Sequence, residues 1–259
     1  MRDRLYDSVG SGPAVILIHG SLSNGRQWRK LAERMQDRFR VLSVDLYMRQ
    51  GEGGQEVGDF DFADDVAFIE ALIAANAPAH VVGHSYGGVV AARAALNRRD
   101  KLASLTLIEP SCFHLLDKSS AHFAEVTALH EGGVACAARN DAAGQARLFI
   151  EYWMGSDAWT SMPERRQAGV LAGLKRLEAD WQGTLGPHTS LDDYRSFDVP
   201  TLMLRARDTR RPSSHLVDMI GDALPDARIA EVASGGHMSP LTNPDPVNDE
   251  IERFLTARR

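Results

Sequence analysis

Residues 80–96 read HVVGHSYGGVVAARAAL. A short apolar run, 80–82, leads into Gly83-His84-Ser85-Tyr86-Gly87-Gly88, and residues 89–96 are good helix formers. Strand, tight turn and helix in that order form the context in which a G-x-S-x-G pattern carries chemistry. A serine on such a turn sits in a strained backbone conformation. Its neighbours two before and two after, Gly83 and Gly87, must lack side chains or they would clash across the turn. Gly88 then lets the helix pack close to the sheet, and the helix amides point at the serine and favour negative charge there. The plainer alternative is a glycine-rich βα turn with a capping serine. His84 is expected to be a packed residue of the turn, since a base must approach Ser85 from its far side.

Outward from this turn, short apolar runs alternate with helix-period stretches. AVILIHG (14–20), VLSVDL (41–46), HVVGHS (80–85), SLTLIEP (104–110), TLMLRAR (201–207) and ARIAEVAS (227–234) suit strands buried on both faces. Apolar stripes at Trp28, Leu31, Ala32 and Met35, at Phe62, Val66, Ile69 and Ile73, at Leu216, Met219 and Ile220, and at Val247, Ile251, Phe254 and Leu255 mark helices whose simplest role is core packing. The alternation predicts a doubly wound α/β domain with a mostly parallel sheet. Between 111 and 197 it stops. That region reads as helical, with a stripe at Val170, Leu174, Leu177 and Trp181. It also holds Phe113, Phe123, Phe149, Tyr152, Trp153 and Trp159. An inserted helical block, with 1–110 and 198–259 as the core around it, is the simplest account.

The 259 residues, 44% of them hydrophobic and 25% charged, suffice for one large core without disulfides or metals. A net charge of −6 argues against a phosphate-binding surface, so no nucleic acid partner is expected. Cys112 and Cys136 give neither a disulfide framework nor a zinc spacing. The start, MRDRLYDSVGSG, has no apolar leader, and no apolar run is long enough to span a membrane. A cytoplasmic protein acting on a small molecule is the expectation; oligomeric state is not legible.

Two further loops complete a candidate site at the C-terminal ends of the strands. His19-Gly20-Ser21 ends the first buried run. Acyl transfer needs two donors aimed at the oxyanion, and the backbone N–H groups of Ser21 and Tyr86 are the candidates. The same loop can equally cap the next helix through Ser21, Ser23 or Asn24. His19 is expected to brace it; a metal role lacks a second ligand at suitable spacing. Near the C-terminus, Ser234-Gly235-Gly236-His237-Met238 follows the last strand, and His237 is the candidate base for Ser85.

Taken together, these segments resemble the α/β-hydrolase superfamily over nearly the whole chain apart from the helical block. HGSLSNGRQW is similar to its oxyanion loop and following helix. DLYMRQGEGG resembles a worn form of its Asp-x-x-Gly-x-Gly loop. GHSYGG resembles its nucleophile elbow, and GGHMSPLTNPDPVNDEIERFL its histidine loop and last helix. The resemblance implies that 111–197 is a lid or cap, with Phe113, Tyr152 and Trp153 facing substrate. The family's first antiparallel strand looks missing or shortened near RLYDSV. The acid also departs from the pattern. After the strand TLMLR the family usually has Gly-x-x-Asp, but here Ala206-Arg207-Asp208-Thr209 stands, with Asp208 one place early. Some relatives, including certain haloalkane dehalogenases, carry the acid after the preceding strand, which here gives Glu109. Both Asp208 and Glu109 remain open.

The implied chemistry is a serine hydrolase of a small or medium ester-like substrate, with no metal or organic cofactor. Thioesterases, lactonases, amidases, C–C bond hydrolases and acyltransferases use the same triad. Haloalkane and epoxide chemistry want an aspartate where Ser85 stands. A non-catalytic small-ligand receptor on the same fold is the alternative of another class, and loss of the serine or histidine would mark it.

Overall fold

The structure is a computed structural model and describes residues 4–51 and 54–258. Its centre is a seven-stranded sheet built from β1 (Leu5–Val9), β2 (Ala14–Ile18), β3 (Arg40–Val44), β6 (Ala79–His84), β7 (Leu102–Ile108), β8 (Thr201–Ala206) and β9 (Ala227–Val232). The spatial order is β1-β3-β2-β6-β7-β8-β9, and all pairings are parallel except β1 with β3. Every residue of β2 and of β6 is buried, as a strand covered on both faces requires. The antiparallel strand expected to be missing or shortened corresponds here to β1, five residues on the sheet edge.

Helices cover both faces. The stripes of α2 (Phe62–Ala75), α3 (Tyr86–Asn97) and α8 (Arg211–Ala223) pack one side of the sheet, where Ile69, Val90 and Val217 meet Ile16, Val81 and Met203. The stripes of α1 (Arg29–Met35) and α10 (Pro244–Thr256) pack the other, where Met35 and Ile251 meet Val15, Leu17 and Leu202. Each such fully buried aliphatic side chain contributes about 1.5–3 kcal/mol by leaving water.

Between β7 and β8 lie α4 (Ala121–Ala138), α5 (Ala142–Met154), α6 (Glu164–Leu185) and α7 (Leu191–Arg195), with no strand among them. Phe113, Val126, Ile150, Val170, Leu174, Leu177 and Trp181 form a third apolar cluster there. The loop quoted as DLYMRQGEGG instead carries a hairpin, β4 (Met48–Gly51) with β5 (Gly54–Val57). Glu52 and Gly53, between the two strands in sequence, lie outside the described residues. Four-residue strands are too short for alternation to reveal. Among the described residues no helix is long and apolar enough to cross a membrane.

The chain runs from β2 to β3 on one side and then crosses to β6 on the other. The crevice between the C-terminal ends of β2 and β6 is therefore the switch point of the sheet, where open α/β sheets bind ligands.

Candidate active site

Ser85 leaves the end of β6 at that switch point with φ 56° and ψ −122°, a left-handed conformation rare for a residue with a side chain. The glycines around it are sterically obligatory. A Cβ on Gly83 would lie 2.4 Å from the Gly87 carbonyl oxygen, and one on Gly87 would lie 2.2 Å from that of His19. The strained turn lifts Oγ off the sheet toward the loop after β9.

His237 lies on that loop, buried, with its Nε2 2.8 Å from Ser85 Oγ and its Nδ1 2.9 Å from Glu109 Oε2. A carboxylate on Nδ1 makes that nitrogen the N–H donor and leaves Nε2 to accept from the serine. Glu109 follows the end of β7 and also occupies the left-handed region, at φ 43°. It is fully buried and held on three sides. Oε1 accepts from the Ala206 amide at 2.9 Å, and Oε2 accepts from Thr209 Oγ1 at 2.5 Å and from His237.

Asp208, the other acid weighed from sequence, does not reach the imidazole. Its carboxylate accepts from the amides of Gly235 (3.2 Å) and Gly236 (2.9 Å), so it fixes the glycine loop that delivers His237. Slight burial raises its pKa, but those amides outweigh it and hold the group below the usual carboxylate range. Thr209 stands where the family's aspartate usually is and supports Glu109 instead. The departure in β8's loop and the acid after β7 are thus one arrangement.

His84 is excluded as a base by its own bonds. Its Nε2–H donates to the His237 carbonyl at 2.8 Å, and its Nδ1 accepts from Gln27 Nε2 at 3.2 Å. Burial, with the neighbouring imidazole of His237, pushes its pKa down to about 3, so the ring stays neutral. His19 braces the loop after β2. Its Nδ1–H donates to the Gly20 carbonyl at 2.7 Å, and its Nε2 accepts from the Leu46 amide at 3.0 Å.

The backbone N–H groups of Ser21 and Tyr86 have no acceptor among the described residues. Tyr86 is the first residue of α3, where a helix leaves its amides unpaired. Ser21 borders the same niche as Ser85 and His237. The next residue is held by Tyr47, whose hydroxyl accepts from the Leu22 amide at 3.1 Å. Tyr47 in turn donates to Asp180 at 2.5 Å.

Of the three aromatics expected to face substrate, only Trp153 lines the niche beside Ser85. Its ring stacks on His237 with centroids 3.9 Å apart, and it lines both the niche and a larger cavity of about 910 Å³ in front of it. Phe113 is buried in the cluster beneath, against Trp181. Tyr152 turns away, donating to Glu125 at 2.9 Å with Arg210 over its ring. Adjacent residues on a helix face different directions, so Tyr152 and Trp153 could not both line one wall. Phe149, one turn before Trp153, shares its face and takes that place.

Two groups escaped the sequence reading. Ser111 Oγ lies 3.2 Å from Ser85 Oγ, and nothing in EPSC distinguishes it from a loop serine. Beneath the site, Arg176 and Asp180 sit one turn apart on α6, buried with Asp65, Arg4 and the hydroxyls of Tyr47 and Tyr86. Charged residues four apart beside an apolar stripe were the available signal. Among the described residues no group of three or more His, Cys, Asp or Glu is placed to hold a metal ion.

A family model described as the alpha/beta hydrolase family matches residues 15–250. The chain belongs to the α/β-hydrolase family. It is 27% identical, over 97% of its length and 94% of the relative's, to a protein of Azorhizobium caulinodans assigned provisionally as the carbamate hydrolase RutD. It is 25% identical to the pimeloyl-[acyl-carrier protein] methyl ester esterase of Aeromonas hydrophila, over 96% of this chain and 98% of that one. Among solved structures, an alpha/beta hydrolase from Sphaerobacter thermophilus superposes with a TM-score of 0.74 at 22% identity. It covers 96% of this chain and 95% of its own. A thermophilic esterase from Thermogutta terrifontis gives 0.74 at 23%, covering 97% and 92%. These likenesses make the chain a hydrolase-type α/β protein, and the seven-stranded sheet is that family's fold.

Proposed function

We propose that this α/β hydrolase is a serine esterase that works through an acyl-enzyme on Ser85. The observation that carries the reading is the unbroken chain Ser85 Oγ–His237 Nε2 and His237 Nδ1–Glu109 Oε2, at 2.8 and 2.9 Å. Ser85 Oγ attacks the ester carbonyl carbon while its proton passes to His237 Nε2. The imidazolium keeps its Nδ1–H on Glu109, which orients and stabilises it. The carbonyl oxygen, now an oxyanion, accepts from the unpaired amides of Ser21 and Tyr86. Collapse of the intermediate breaks the bond to the alcohol, which leaves with the proton from Nε2. Water then repeats the sequence on the acyl-enzyme and frees the acid. The helices of 111–197 serve as the cap, with Trp153 screening His237 from bulk water. Relatives named as esterases support the choice of ester over amide.

The test is hydrolysis of p-nitrophenyl esters from acetyl to decanoyl by the wild type and by Ser85→Ala. Turnover that falls by about three orders of magnitude or more in the variant is expected. Undiminished activity in Ser85→Ala contradicts the reading, and absence of turnover with every ester in the folded wild type moves the assignment to an amidase, a C–C hydrolase or a ligand receptor.

A further inference from the structure

The large cavity combines apolar and uncharged polar side chains with exposed cations. Phe149, Trp153, Met154, Met162, Val170 and Met238 are among its apolar residues. The cations that line it are Arg26, Arg29 and Lys30, from the turn Gly25–Trp28 and the start of α1, and Arg165 and Arg166 in the first turn of α6. All five are exposed, and no aspartate or glutamate lines the cavity.

These cations are gathered at one cavity, although Arg93, Arg99 and Arg211 elsewhere are likewise without an ion pair among the described residues. The chain carries a net charge of −6, and Arg34, Arg38, Arg205, Arg207 and Arg228 each meet a carboxylate. Arg26, Lys30, Arg165 and Arg166 make no ion pair among the described residues, while Arg29 is paired with Glu33 at 3.2 Å, both more than half exposed. Arg165 and Arg166 also work against their helix. The first turn of α6 is the positive end of its dipole, where cations are unfavourable, and only Glu164 offsets them. A bound anion would relieve that repulsion. Six residues, Ser21, Ser23, Gln27, Phe149, Trp153 and Met238, line both this cavity and the niche of Ser85, so the two are continuous past apolar and uncharged polar side chains.

We propose that the substrate carries an anionic group, a carboxylate or a phosphate, at the end remote from the scissile ester. These cations hold it while an apolar chain lies along the cavity wall. This specificity rests on the hydrolase reading of Ser85, so binding and turnover are measured separately. Binding of methyl octanoate and of the monomethyl suberate anion to Ser85→Ala is followed by calorimetry. Turnover of the same pair is followed in the wild type, with a methyl octanoate bearing a terminal phosphate as a third ligand. The anion-ended esters are expected to bind and react at least about tenfold better than the neutral one. The ratio should fall toward one at about 0.5 M salt. In the double variant Arg165→Glu, Arg166→Glu, checked for an unchanged melting temperature, the ratio should drop to one or below. The anion favoured by the larger factor names its source. Equal or better binding of the neutral ester, or a ratio indifferent to charge reversal, overturns the proposal even if esters are hydrolysed. A binding preference without turnover upholds it and defeats the esterase reading instead.

Discussion

Glu109 and Asp208 end neighbouring strands, yet their carboxylates do different work. Glu109 faces the imidazole and takes Nδ1; Asp208 takes two amides of the loop that carries it. Glu109→Gln should therefore lower kcat on p-nitrophenyl esters by about a thousandfold, because the amide no longer fixes the tautomer or the imidazolium. Asp208→Asn should cost no more than about tenfold, since Asn retains an acceptor for the glycine amides. The reverse order would reassign the acid. Sequence brought Ser85 and His237 forward because their glycine-bounded loops are constrained by local sterics. The acid stayed open because the choice depends on which carboxylate points at a ring 128 residues away, and only the assembled sheet decides that. Tyr152 was misjudged for a similar reason: an aromatic in a helix declares its bulk but not its direction, and a shift of one residue moves it to another face.

The elements themselves were more legible. Buried parallel strands must be apolar throughout, and β2 and β6 are. The helix stripes likewise coincide with helices whose buried residues include the whole stripe, as in α6 and α10. The β4–β5 hairpin was not legible, because its strands are short and the flanking sequence resembles a loop. The most demanding junction is β6 to α3. Gly87→Ala would drive a Cβ against the His19 carbonyl at 2.2 Å, with backbone on both sides of the clash. Urea titration should show a loss of about 2–4 kcal/mol relative to wild type. A loss under about 0.5 kcal/mol would mean that the turn is looser than its geometry requires.

At the scale of the molecule, helix α6 is tied to the sheet through buried charge. Arg176 meets Asp65, which accepts from the Tyr86 hydroxyl, and Asp180 accepts from Tyr47, whose hydroxyl accepts from the Leu22 amide. The network links α6 to Tyr86 through its hydroxyl and to the loop after β2 through the Leu22 amide. Burial pushes the Asp180 carboxyl up to about 7, against the hydrogen bonds of Tyr47 and Ser21 and the charge of Arg176. In the unfolded chain the group ionises near 3.8. Between roughly pH 4 and 7 the folded state therefore binds more protons, and stability falls as pH rises through that window. Relative to Asp180→Asn, the wild type should lose stability from pH 4 to 7 and change little above. Urea midpoints across that range check it, and a constant difference between the two proteins would refute the shift.

Labelling with a fluorophosphonate, read by mass spectrometry of peptides, tests whether Ser85 is a nucleophile activated by His237 and Glu109. One phosphonyl group per chain is expected, on Ser85, acquired far more slowly in His237→Ala and in Glu109→Gln. A folded wild type that takes no label, or takes it at the same rate in all three proteins, would contradict that role.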